Sequence, residues 1–239
     1  MTDTATQELL GVGLYTIPDA ARLTGLSVST VRRWVRGYTF PCSTEIGGRY
    51  GASYPVVLSE LPPVDSRSAV SFVELIEILV VAALIHRGVP MRSIRLASRR
   101  AAERFGTRHP FASQRFKTDG KGLFVELASK SKEFAGLINL VDNQYAFPQI
   151  LNHYLEQIDF DLDTQMANRW WPLGKTKPIV VDPAVAFGSP VIQGTRIPVA
   201  VIVDACKAGE TKKSICSWFD IRPQDVSAAM EFARRKRVA

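Results

Sequence analysis

The chain has 239 residues, 46% of them hydrophobic and 22% charged, the balance of a folded globular protein rather than a disordered or fibrous one. Thirty lysines and arginines against 23 acids leave a formal charge of +7, which favours polyanionic partners through phosphate neutralisation and counterion release. Cys42, Cys206 and Cys216 form no C-x-x-C pair and the three histidines show no ligand spacing, which argues against a disulfide framework or a structural zinc.

The opening MTDTATQELL has neither the basic n-region nor the apolar core of a signal peptide. The most apolar run, Leu75 to Ile85, falls short of the ~20 residues a bilayer span requires, so a cytoplasmic chain with no membrane partner is expected. Residues 15–37 read as two short helices around a tight turn. Thr16 caps the first with Asp19 three positions on, Pro18 is tolerated in its first turn, and Gly25 ends it. Ser27 caps the second, SVSTVRRWVRG, which Gly37 closes. Around this helix Val28, Val31 and Val35 fall on one side, and Ser29, Arg32, Arg33 and Arg36 on the other. A thin apolar face backing a basic outer face suits a DNA major groove; the plainer reading is a solvated surface helix.

From Phe40 to Pro63 the sequence is rich in Gly, Pro, Ser and Tyr, and Gly47-Gly48 before Arg49 and Tyr50 suggests a small hairpin. Beside a helix-turn-helix such a hairpin is a wing; Arg49 and Tyr50 then either touch the DNA backbone or simply stabilise a loop. A helix capped by Ser71 and Glu74 follows, apolar on nearly every side and so destined for a core or a dimer interface. The next, from Pro90 to Phe105, carries Arg92, Arg95, Arg99, Arg100 and Arg104, either as a solvated basic face or as phosphate contacts. Asp119-Gly120 between QRFK and LFVEL predicts a second hairpin over 114–127, and a helix is expected over Pro148–Ile158. The segment DFDLDTQMANRWWPLGKTKP reads as an irregular linker, its Asp159, Asp161 and Asp163 solvated because no glycine or closing glutamate completes a calcium loop. Trp170 and Trp171 are candidates to dock it. Beyond it, IVVDPAVAFGSPVIQGTRIP is punctuated into turns and brief strands. Three helices come next, opened by Pro198, Thr211 and Pro223, and the last ends in ARRKRVA.

YTIPDAARLTGLSVSTVRRWV resembles the MerR-like winged helix-turn-helix, and VVDPAVAFGSPVIQGTRIPVAVIVDACKAG with IRPQDVSAAMEFAR resembles a small C-terminal domain of formerly unknown function. Together, over nearly the whole chain, they resemble the large antitoxins of the VapB type, whose partners are PIN-domain ribonucleases. The resemblance implies a mainly α fold with small β-hairpins. Its parts would be a winged helix-turn-helix DNA-binding and dimerisation domain over 1–158, a linker over 159–178, and a three-helix, helix-turn-helix-like module over 179–239 as candidate toxin-binding unit. It makes Ser29, Thr30, Arg32, Arg33 and Trp34 recognition-helix positions and matches Arg49 and Tyr50 to the wing. The sensing cysteines and long coiled coil of ligand-responsive MerR regulators have no counterpart.

No nucleophile elbow, P-loop, H-E-x-x-H or dinucleotide fingerprint is present, so no catalytic residue, cofactor or metal is expected. Glu74 and Glu77 read as a cap and a helix-dipole acid. If the partner is a carboxylate-lined nuclease, arginines placed among its carboxylates would compete with metal and RNA. Arg234, Arg235, Lys236 and Arg237, as a flexible basic end, are the first candidates, and Arg196 in GTRIP is a second, with a local role in fixing its turn as the alternative. Operator binding calls for a homodimer, for which the helix from Phe72 to Ile85 is the candidate interface. Two other classes stand against the antitoxin: a stand-alone MerR-like regulator, and a nuclease using the aspartates near Asp159.

Overall fold

In the computed structural model, which describes residues 12–42, 49–59, 61, 69–120, 122 and 152–235, a short strand β1 (Leu14–Thr16) runs directly into α1 (Ile17–Thr24). The junction is a capping box: Thr16 Oγ1 accepts from the Asp19 amide at 3.2 Å and the Asp19 carboxylate accepts from the Thr16 amide. Gly25, left-handed at φ 75°, ends the helix, and Ser27 accepts from the Thr30 amide to start α2 (Val28–Arg36). Val31, Trp34 and Val35 are buried along α2. Val28, expected on that inner face, stands partly exposed at the first helical position; Trp34, with far more apolar surface to remove from water, takes an inner place instead.

Gly37 is left-handed at φ 72°, and a Cβ there would lie 2.3 Å from the Ser53 carbonyl oxygen, so only glycine lets the chain turn straight into β2 (Tyr38–Cys42). β2 pairs antiparallel with β3 (Arg49–Ser53), from Tyr38↔Ser53 to Cys42↔Arg49, which is the hairpin the sequence predicts after the second helix. A fourth strand, β4 (Ala69–Ser71), pairs with β1 and enters α3 (Phe72–His86) through a Ser71–Glu74 capping box. α3 is the core of this part of the molecule: Phe72, Leu75, Ile76, Ile78, Val80, Val81 and Leu84 are essentially inaccessible to solvent. α4 (Met91–Phe105) turns Ile94, Ala97, Ala101 and Phe105 inward; Arg92, Arg99, Arg100 and Arg104 are exposed and Arg95 is half-buried.

The hairpin predicted over 114–127 is not formed in its described part. Residues 114–120 are helical, and Asp119-Gly120 lies within that helix. Phe116 is buried edge-on against Phe111 with ring centroids 4.8 Å apart, and Gly120 comes close enough to the Phe116 ring that a Cβ would sit 3.1 Å from it. Packing of Phe116 therefore overrides the turn preference of Asp-Gly, and the glycine serves as a close-packing residue.

The described residues form two compact units, one running from Tyr15 to Asn152 and the other made of the residues from His153 onward together with 12–14. The helix expected over 148–158 is found over 152–155, its first residues lying outside the described ones, and Ile158 already belongs to a strand. The second unit carries a four-stranded antiparallel sheet in the order β5 (Ile158–Phe160), β6 (Ala167–Trp170), β7 (Ile179–Val181), β8 (Pro190–Ile192). The stretch read as a linker, 159–178, is thus folded: it supplies most of two strands, and Trp170 and Trp171 are buried, Trp171 against Val180 and Val191. Helices α5 (Val199–Lys207), α6 (Lys212–Phe219) and α7 (Pro223–Arg234) then pack on a core of Ile179, Ile192, Ile202, Ile215, Val226 and Ala229.

Candidate functional site

The turn between α1 and α2 fixes how α2 is presented. Ser27 Oγ holds the Thr30 amide at 3.1 Å and lies within hydrogen-bond distance of the hydroxyls of Ser29 and Thr30. With Val31, Trp34 and Val35 inside, Ser29, Arg32, Arg33 and Arg36 are exposed and Thr30 is half-buried. Arg32 makes no hydrogen bond or ion pair among the described residues. Trp34, grouped by resemblance with the recognition positions, is instead core, and its carbonyl accepts the amides of Val56 and Val57 at 2.9 and 3.1 Å. A large indole inside leaves the small and basic residues to face outward.

The hairpin adjoins this face. The Arg33 guanidinium lies 5.4 Å from the centroid of the Tyr38 ring, and Tyr38 in turn lies 5.9 Å from Phe40, with both rings exposed at about two fifths of their surface. A cation stacked on an aromatic loses little hydration and keeps donors free for an anion. Arg49 and Tyr50 stand on β3, opposite Cys42 and Pro41 in the backbone register. The base of the hairpin is held from α4: Arg95 Nη2 donates to Ser53 Oγ at 2.8 Å and Nε to the Tyr54 carbonyl at 3.2 Å. Neither Tyr38–Phe40 nor Arg95 was singled out by sequence. The alternation of two aromatics in a polar segment signals a half-exposed strand, but nothing in the sequence distinguishes Arg95 from its neighbours on α4.

A buried polar pair joins α3 to the turn that follows α4. Glu77 on α3 accepts from the Phe111 amide through Oε1 and meets His109 Nδ1 through Oε2, both at 3.2 Å. Burial raises the Glu77 carboxyl above its ordinary range, opposed by the His109 and Phe111 contacts. Glu77 is therefore not a solvated helix-dipole acid but the fastener between α3 and the 3₁₀ turn Pro110–Ala112. Most of the apolar surface of Phe72–Ile85, the candidate dimer interface, is covered within its own chain; Val73 and Ala82 are half-buried and Ile85 is exposed.

In the second unit Arg234 is the exposed last residue of α7, and Arg235 caps the helix while its guanidinium donates to the Pro172 carbonyl at 2.6 Å. These two are therefore part of the folded unit rather than of a free tail; Lys236 and Arg237 lie outside the described residues. Arg196 is exposed, and the turn around it is fixed by Thr195, whose hydroxyl donates to the Ile192 carbonyl and accepts from the Ile197 amide. Asp159 accepts from Trp171 Nε1 and Lys175, and Asp161 caps its own turn through the amides of Asp163 and Thr164. Partial burial raises the Asp159 carboxyl, but its bonds to Lys175 and Trp171 outweigh that and hold it below its ordinary range, tying it into the fold. The Thr164 amide and hydroxyl likewise lower Asp161, which stays in contact with solvent as expected. Among the described residues no cluster of His, Cys, Asp and Glu could hold a metal ion, and no helix is long and apolar enough to cross a membrane.

Residues 13–98 match a family described as "Putative DNA-binding HTH domain", and residues 179–233 one described as "Protein of unknown function (DUF433)". The chain is 30% identical over 233 residues to the Mycobacterium tuberculosis protein "Putative antitoxin VapB45", covering 92% of this chain and 93% of that one. It is 22% identical over 247 residues to "Uncharacterized protein Rv2308" of the same organism, covering 99% and 97%. The crystal structure of Rv2018 from Mycobacterium tuberculosis superposes with a TM-score of 0.73 at 26% identity, over 92% of this chain and 99% of that one.

Proposed function

The chain belongs to the family of the protein named "Putative antitoxin VapB45", and from that membership we propose that it is a non-enzymatic antitoxin that represses its own operator and neutralises a PIN-domain ribonuclease toxin. The observation that carries the DNA half is the exposed face of α2, with Ser29, Arg32, Arg33 and Arg36 side by side and no carboxylate on that helix. Ser29, Thr30 and Arg32 would reach base edges, and Arg33 and Arg36 phosphates, with the hairpin of Arg49 and Tyr50 acting as a wing on the flanking backbone. A single short helix reads few base pairs, so two copies on a palindromic site complete the proposal.

The toxin half assigns the C-terminal module to the nuclease, with Arg196, Arg234, Arg235, Lys236 and Arg237 as the candidate contacts. Its support is the name of the relative and the concentration of cations in this region. Fluorescence anisotropy of the full-length protein on a duplex of its own promoter region tests the DNA half. Specific binding that weakens steeply with salt is expected, and equal affinity for promoter and random duplex would refute it.

A further inference from the structure

Helices α5 to α7 border a cleft of about 590 Å³. Leu173, Cys206 and Met230, each half-buried, give it an apolar lining, and Lys212, Arg234 and Arg235 give it cations. Among the described residues these cations have only neutral partners or none. Lys212 Nζ donates to Ser227 Oγ at 2.9 Å, Arg235 to the Pro172 carbonyl, and Arg234 makes no hydrogen bond or ion pair among the described residues. The carboxylate in the lining, Glu231, is already paired with Lys177 at 2.8 Å. The cleft therefore presents uncompensated positive charge above an apolar surface.

We propose that this cleft receives an acidic peptide segment of a partner protein. Its carboxylates would pair with Arg234 and Lys212, and an adjacent apolar side chain would lie on Met230 and Leu173. A guanidinium without a competing acid is suited to a bidentate carboxylate, and the apolar lining strengthens the pair by excluding water. Charge complementarity alone would admit nucleic acid, but the lining holds no aromatic ring on which a base could stack. Arg235, fixed to Pro172, makes the basic end of α7 a wall of the cleft. The second unit thus takes in an acidic segment rather than sending a tail into its partner. The identity of that partner as the nuclease rests on the antitoxin reading; the chemistry of the cleft does not.

Panning the full-length protein against a library of short random peptides, followed by anisotropy with the selected peptides, tests the cleft without any toxin. The expected result is enrichment of acidic peptides carrying an apolar neighbour. Their affinity should fall about tenfold or more in Lys212→Glu and in Arg234→Glu, both surface positions whose variants are checked for folding by circular dichroism. Peptides selected without acidic bias, acidic peptides that bind both variants as well as the parent, or a short single-stranded RNA that binds through Arg234 in their place would each overturn the proposal. A selected peptide that binds through Lys212 and Arg234 but does not displace a co-purified nuclease upholds the cleft and counts against its assignment to the toxin.

Discussion

Arg95 on α4 donates through Nη2 to Ser53 Oγ across 2.8 Å, joining a helix of the core to the base of the β2–β3 hairpin 42 residues away in sequence. The bond makes Arg95 a positioning residue rather than a phosphate contact. Replacing it with Met keeps the aliphatic stem and removes the donors, so the hairpin should lose its fixed attitude to α2. We expect Arg95→Met to weaken operator binding about tenfold with the salt dependence of binding unchanged. A salt slope reduced by about one would instead mark Arg95 as a direct phosphate ligand.

Arg33 and Arg32 should behave differently from Arg95 and from each other. Arg32, with no partner among the described residues, is available to a base or phosphate, and Arg32→Ala should cost ~1–3 kcal/mol of specific binding. Arg33 is held over Tyr38, so Tyr38→Phe should preserve operator affinity while Tyr38→Ala lowers it about fivefold. Equal loss in both Tyr38 variants would mean that the hydroxyl, not the ring, matters.

Glu77 gives the first unit a pH dependence whose sign follows from its burial. Its pKa in the fold is raised above the ordinary 4.5, so its contribution to stability is fully present below that value and is lost as pH rises through the folded pKa. Glu77→Gln keeps an acceptor for the Phe111 amide and removes the charge. It should gain on the parent chain in thermal unfolding as pH rises from about 4.5, whereas parallel curves would show that the carboxyl does not titrate in this range. Glu77→Ala removes the carboxyl that accepts from the Phe111 amide and meets His109, and should cost ~1–3 kcal/mol at about pH 4.5 and less as pH rises.

Phe187 is largely exposed and left-handed at φ 54°, ψ 29°, directly after Ala186 at φ 47°. A bulky residue held there costs of order 1 kcal/mol against glycine, more than its small buried surface returns. Phe187→Gly should therefore leave the second unit as stable as before or stabilise it by up to ~1 kcal/mol in denaturant unfolding. A clear destabilisation would mean that the ring makes a stabilising contact in solution.

The parts legible from sequence were those written in local chemistry. Thr16, Ser27, Ser71 and Thr211 cap helices where a hydroxyl precedes an apolar period, and Gly25 and Gly37 stand where the backbone needs positive φ. What escaped depends on contacts between distant residues. Asp119-Gly120 carries a turn signature, yet the buried Phe116 holds it in a helix. Asp159 reads as solvated because its partners, Trp171 and Lys175, lie 12 and 16 residues on and are brought to it only by the fold. On α2 the basic face was readable, but a heptad-like valine pattern gave Val28 the inner place that Trp34 occupies. For Arg234 and Arg235, a run of cations looks the same in sequence whether it ends a helix or frays from it.

Purification of the tagged full-length chain from its native cell, with mass spectrometry of what accompanies it, tests the central claim most directly. The account predicts a small PIN-type nuclease in stoichiometric amount, whose ribonuclease activity appears only when the complex is separated. Recovery of the chain alone, or with DNA and no nuclease, would contradict the antitoxin assignment and leave an independent transcription regulator.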